Sequence, residues 1–132
     1  MTLASRFALL SLLAAGAAPT LASAAPPPKS LYEDNCSACH QVTGKGIKGA
    51  FPALTASPLV NGPAAPLVTT VLNGRAGMPA FKDDLSDADL AGIITYVRAS
   101  WGNKGTLVSA ADVASIRARA RAAQTARGLQ AH

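Results

Sequence analysis

The sequence predicts an all-α fold of three to four short helices joined by long loops, and three observations carry that expectation. No run of alternating apolar and polar residues is long enough to make a strand. Leu90, Ile93, Ile94 and Val97 recur at helical spacing behind a start signal, Ser86-Asp87-Ala88-Asp89, which approximates a capping box with Asp in place of Glu. Bulky side chains are scarce: 49% of the 132 residues are apolar, yet 29 are alanine and only six are aromatic. A chain so provisioned favours short helices over a large aromatic-filled core.

Taken in order, Met1 to Ala24 reads as an export signal. Arg6 is its positive start, Phe7 to Ala18 its apolar run, and Ala22-Ser23-Ala24 the small-x-small cleavage pattern. The alternative, a membrane anchor, has 19 uncharged residues from Phe7 to Ala25, but the second half is rich in Ala, Pro and Thr. Cleavage after Ala24 leaves 108 residues and, with Arg6 gone, lowers the net charge from +5 to +4. The expected location is therefore exported and periplasmic, with membrane contact at most peripheral.

Residues 25–101 form the expected compact domain, opened by a proline-rich leader at Ala25 to Pro28. A short helix is expected from Lys29 through Cys36. Gln41 to Ser57, with three glycines and Pro52, reads as an irregular loop. A second helix is expected from Pro63 to Leu72, stopped by Asn73-Gly74. Gly74 to Lys82 reads as a loop carrying Met78 between Gly77 and Pro79. The helix from Ser86 follows, with Trp101 extending its apolar stripe. Residues 102–132 are a basic, Ala- and Arg-rich tail whose helix opens at Ser109 to Asp112 and closes at Gly128.

Charge is unevenly spread. From Ala25 to Ser100 six basic residues balance six acidic ones, so the tail carries the whole excess through Lys104, Arg117, Arg119, Arg121 and Arg127 against Asp112 alone. That is too mild for a dedicated nucleic-acid binder, and aromatics to interleave with bases are missing. The tail reads either as a solvated extension or as an arm for an acidic redox partner or anionic surface.

The informative motif is Cys36-Ser37-Ala38-Cys39-His40. This C-x-x-C-H spacing is the c-type haem attachment signal. Two cysteines three apart on a helical turn can each add to one of two vinyl groups of the porphyrin, and the histidine that follows is placed to bind the iron. Competing readings are weaker. A thioredoxin-like pair needs a βαβ context, and a zinc site needs more Cys or His than terminal His132 supplies. One covalent haem also answers the packing problem, since roughly 70–80 residues is a size at which a core needs a staple. Apart from the initiator, Met78 is the one methionine. On its Gly/Pro loop it is the candidate sixth ligand, against the alternative of a gap-filling core residue.

These residues make the sequence resemble the class I c-type cytochromes, single-haem electron carriers, and in particular the domains serving bacterial periplasmic dehydrogenases. The resemblance runs from Leu31 to about Trp101. It rests on Tyr32 ahead of Cys36-x-x-Cys39-His40, on Phe51-Pro52-Ala53-Leu54, on Val71-Leu72-Asn73-Gly74 leading to Met78-Pro79, and on Ile94-x-Tyr96-Val97. It implies a small cytochrome c fold packed around one haem c, thioether attachment at Cys36 and Cys39, and His40 and Met78 as axial, metal-binding ligands. It also implies that the Pro52 carbonyl accepts the His40 Nδ1–H and that the first and last helices of the domain cross at Tyr32 and Tyr96.

The expected function is single-electron transport, with a periplasmic dehydrogenase as donor and another cytochrome or a terminal oxidase as acceptor. With both axial positions filled by protein the chain needs no catalytic side chain, and it is not expected to be an enzyme. The alternative is a haem enzyme or gas-binding sensor with an exchangeable sixth ligand. Asp83, Asp84, Asp87 and Asp89 read as solvated helix-start carboxylates rather than a metal site. Arg75 is either a partner for a haem propionate or a plain surface arginine.

Overall fold

A computed structural model describes residues 24–130. The export signal expected at Met1 to Ala24 lies, but for Ala24 itself, outside the described residues. Within them the fold is all-α and contains no strand, as expected. Its elements are α1 (Pro28–Asn35), α2 (Ser37–His40), α3 (Pro58–Asn61), α4 (Ala64–Asn73), α5 (Asp87–Ala99) and α6 (Ala110–Gln130).

The start signals act as their chemistry dictates. The Ser86 hydroxyl accepts a hydrogen bond from the Asp89 N–H at 3.1 Å, capping α5. At α6 the box is complete. The Ser109 hydroxyl accepts from the Asp112 N–H at 3.1 Å, and the Asp112 carboxylate accepts from the Ser109 N–H at 2.8 Å. The Ser109 hydroxyl, which donates to the Asp112 carboxylate at 2.6 Å, and then the Ser109 N–H hold that carboxyl below the usual carboxylate range. Single-turn α3, which the sequence reading leaves unassigned, starts on Ser57, whose hydroxyl faces the Val60 N–H, and on Pro58 in its first turn. Four residues cannot show a helical period.

The core is built around α5. Leu90, Ile93, Ile94 and Val97 are all buried, together with Tyr32 of α1, Val60, and Leu67, Val68 and Leu72 of α4. α1 crosses α5 through a cluster of three aromatic rings. Tyr32 and Tyr96 have centroids 5.5 Å apart, and Trp101 completes the triangle at 5.3 and 5.8 Å. Trp101 does not extend α5, contrary to expectation. The helix ends at Ala99, and Trp101 adopts a left-handed φ of 53° that turns its ring back onto Tyr32.

The tail is packed rather than free. Val108, Val113 and Ile116 are buried members of the core, so the proximal part of α6 covers α5 and α4. Gly128 does not close this helix, which continues to Gln130. An exposed glycine costs a helix about 1 kcal/mol but does not terminate it.

Two buried polar residues tie the connections together. Arg98, 2% exposed, donates to the carbonyls of Val60 (2.7 Å), Gly62 (2.9 Å) and Thr106 (2.7 Å). The Asn103 amide donates to Leu54 O and Val97 O and accepts from the Ala56 N–H and the Asn61 side chain. The Arg98 contacts cannot be replaced by an apolar residue, because three carbonyls would lose their donor. Arg98→Leu is expected to lower stability by about 3 kcal/mol in chemical denaturation. Ending the chain after Trp101 removes three buried aliphatic side chains, each contributing roughly 1.5–3 kcal/mol. A melting temperature unchanged by that truncation would contradict the packing described for α6.

Candidate functional site

A cavity of about 470 Å³ lies between α5, α4 and the two long loops. Its wall is mainly apolar, with Leu54, Leu67, Val71, Phe81, Ile94 and Val97 among the lining side chains. Cys36, Cys39, His40 and Met78, expected from the sequence to act together, all line it, as does Arg75. The structure therefore brings together residues that are 42 positions apart in the chain.

The first three are placed by one turn of helix. Cys36 joins α1 to α2: its N–H donates to Tyr32 O at 2.9 Å, and its carbonyl accepts from the His40 N–H at 3.0 Å. Cys39 and His40 thus follow Cys36 by one helical turn and share its side of the chain. Neither cysteine is in a disulfide. Burial, with the neighbouring Cys39 as a lesser cause, pushes the Cys36 thiol up to about 11. Among the described residues no three His, Cys, Asp or Glu side chains are grouped to hold a metal ion.

His40 is 8% exposed, and its Nδ1 lies 2.9 Å from the Pro52 carbonyl oxygen. That oxygen can only accept, so the hydrogen bond requires the proton on Nδ1. It thereby leaves the Nε2 lone pair free to bind a metal. Several loop contacts aim the carbonyl. Ile47 and Phe51 exchange backbone hydrogen bonds of 2.9 and 2.8 Å, the Gly46 N–H donates to His40 O, and the Leu54 N–H donates to Gly44 O at 2.7 Å. Gly46 is required for this closure. Its φ is +62°, and a Cβ there would sit 2.3 Å from Phe51 O and 2.6 Å from Pro52 O.

Met78 stands at the end of a tight two-residue turn. Arg75 and Met78 exchange backbone hydrogen bonds of 3.2 and 2.9 Å across Ala76 and Gly77, both with positive φ (46° and 89°). Such a turn suits glycine at both central positions, so Ala76 is held in a conformation costing about 1–2 kcal/mol. Past Pro79 the chain is tied to the end of α4, where Phe81 and Lys82 donate to Val71 O and Leu72 O.

The donor set and the cavity fit a haem c. Two thiols one helical turn apart, a buried imidazole hydrogen-bonded through Nδ1 and a thioether on a separate loop all line the cavity, and the rest of its lining is mainly apolar. Of the four aspartates, Asp89 engages Ser86, Asp87 binds Arg117, and Asp83 and Asp84 are exposed, so they form no second site. Sequence reasoning placed Ile94 and Val97 in the core but did not give them to the cavity wall. Only the packing of α5 against both long loops shows that they serve both.

Residues 23–97, more than half of the chain, match the family described as cytochrome c oxidase, cbb3-type, subunit III. The Cbb3-type cytochrome c oxidase subunit CcoP of Azospirillum brasilense is 40% identical over 92 residues, covering 64% of this chain and 31% of that protein. The cytochrome c subunit of an alcohol dehydrogenase (quinone) from Gluconobacter oxydans is 32% identical over 110 residues, covering 73% of this chain and 23% of that one. A cytochrome c6 of Leptolyngbya boryana is 36% identical over 69 residues, or 51% of this chain and 81% of the relative. The chain thus spans a third or less of the oxidase and dehydrogenase subunits it matches. With the helical fold and the C-x-x-C-H turn on its cavity, the chain belongs to the cytochrome c oxidase, cbb3-type, subunit III family and is a c-type cytochrome domain.

Proposed function

We propose that this chain carries single electrons through one haem c, attached covalently at Cys36 and Cys39 and ligated axially by His40 and Met78. The convergence of those four side chains on one apolar cavity, with His40 Nδ1 hydrogen-bonded to Pro52 O, is the observation that carries the reading. When bound there, the haem supplies a one-electron iron couple whose potential is set by its ligands and surroundings.

The chain's own residues divide the work. Cys36 and Cys39 hold the cofactor without relying on affinity alone. Pro52 fixes the His40 ring and strengthens it as a donor. Met78 supplies a soft sulfur that favours the reduced metal and closes the position a small ligand would need. Leu54, Leu67, Ile94 and Val97 exclude water, so little solvent reorganises when charge changes. No acid, base or nucleophile takes part, which is why we assign transport rather than catalysis.

The setting we assign is the periplasm, after export on residues 1–24. Among the described residues no helix is long and apolar enough to cross a membrane. The donor is a dehydrogenase and the acceptor another cytochrome or a terminal oxidase, partners supported by the names of the relatives. The exposed cations Arg119, Arg121 and Arg127 of α6 suit an acidic partner, whose approach they speed at low salt.

Two measurements test this. The exported protein should begin at Ala25 and keep the mass of one haem after acid–acetone extraction; loss of that mass refutes covalent attachment. Met78→Ala should retain the haem while carbon monoxide binds the ferrous form readily. If the parent protein already binds carbon monoxide as fast, the sixth position is exchangeable and the gas-binding alternative replaces transport.

A further inference from the structure

The tail helix touches both stems of the loop that carries Met78. On the trailing stem the guanidinium of Arg117 makes three hydrogen bonds. Nε donates to the Asp87 carboxylate at 2.7 Å, Nη2 to Leu85 O at 2.9 Å, and Nη1 to Lys82 O. The side chain is 11% exposed and Asp87 35%, so this is a half-buried contact rather than a solvated surface pair. On the leading stem the Gln124 amide lies 3.4 Å from the Asn73 side-chain oxygen, at the end of α4. Seven residues on one helix span roughly 10 Å, which is the bridge between the two stems.

The loop needs such a bridge. Its turn holds Ala76 in a left-handed conformation, and Pro79 has no N–H to contribute. Beyond Met78 the first backbone attachments are Phe81 to Val71 and Lys82 to Leu72. Lys82 thus lies between two anchors, its N–H on α4 and its carbonyl on Arg117. Arg117 in turn is fixed by burial of Val113 and Ile116 in the preceding turn of its helix.

We infer that Arg117 is a positioning residue for Met78: by clamping residues 82–87 onto the tail helix it keeps the loop closed and the Met78 sulfur on the iron. This rests on the axial ligation proposed above. Arg117 lies beyond residues 23–97, the part of the chain that matches the family. The clamp is therefore a contribution of the tail and not of the matched domain. It also gives the tail a task within its own chain, separate from any partner.

The test uses the full-length, haem-loaded protein and two readouts that a merely stabilising contact would not move. These are the strength of the long-wavelength sulfur-to-iron band in the ferric form and the rate at which added imidazole displaces the sulfur. Arg117→Met, which keeps the apolar stem, should weaken the band and speed imidazole binding about tenfold or more, as expected for loss of a charge-assisted hydrogen bond, with helix content by circular dichroism unchanged. Arg117→Lys, able to reach Asp87 but not all three acceptors, should fall between. Parental band strength and an imidazole rate within about twofold of the parent in Arg117→Met would overturn the inference. Should Arg117→Met fail to fold, Asp87→Asn decides: a faster imidazole rate supports the clamp and an unchanged rate overturns it. A parent protein without the sulfur band would instead overturn the ligation by Met78, and the clamp with it.

Discussion

The hydrogen bond from His40 to the Pro52 carbonyl governs much of the structure on its side of the cavity. A backbone oxygen cannot be changed by substitution, so its position has to be secured by the loop around it. That requirement explains the pair of hydrogen bonds between Ile47 and Phe51, the glycine packed beneath them, and the anchoring of Leu54 to Gly44. It reaches further through Gln41, whose carbonyl accepts the Tyr32 hydroxyl at 2.6 Å. Tyr32 is a member of the aromatic cluster that joins α1 to α5. Burial pushes its phenol well above the ordinary range. Imidazole orientation, loop shape and helix crossing are thus parts of one connected arrangement.

On the opposite side the order of dependence is reversed. The Met78 turn is closed by its own two backbone hydrogen bonds, but the chain beyond it is tied to α4 and, through Lys82, Leu85 and Asp87, to α6. The contacts that aim His40 are local, whereas several of those around the Met78 loop come from elements far away in sequence. This difference follows from chemistry: a histidine followed at short range by its acceptor can be organised by one loop, while a methionine sulfur has no strong hydrogen bond to orient it.

The same contrast determines what could be read from the sequence. That Cys36, Cys39 and His40 would face one place was legible because they are spaced within a single turn, and spacing is what a sequence displays. Met78, which lines the same cavity, stood out by scarcity. The stripe from Leu90 to Val97 and the caps at Ser86 and Ser109 were legible because helical period and capping are local. The role of Arg117 was not, since its acceptors lie 30 or more residues away and an arginine on an Ala-rich helix looks the same whether solvated or clamped. Trp101 was misplaced for a related reason: helical spacing continued through it, but a better ring contact lay in the other direction. Gly128 carried a stop signal that the backbone did not need to obey.

Arg98 entered the charge balance of the domain as one cation among six, but its surroundings set it apart. The two ion pairs among the described residues are Lys29–Glu33 and Arg117–Asp87, so no carboxylate neutralises Arg98. Its partners are carbonyl and hydroxyl dipoles, and Val60, which supplies one of those carbonyls, stands in the cavity wall together with Val97. The fold therefore keeps a positive charge behind the cavity wall that is solvated by dipoles in place of a counter-ion. Those same carbonyls gather α3, the link from α3 to α4 and the connection to α6 onto one point of α5, so a single side chain sets how three segments sit relative to the wall.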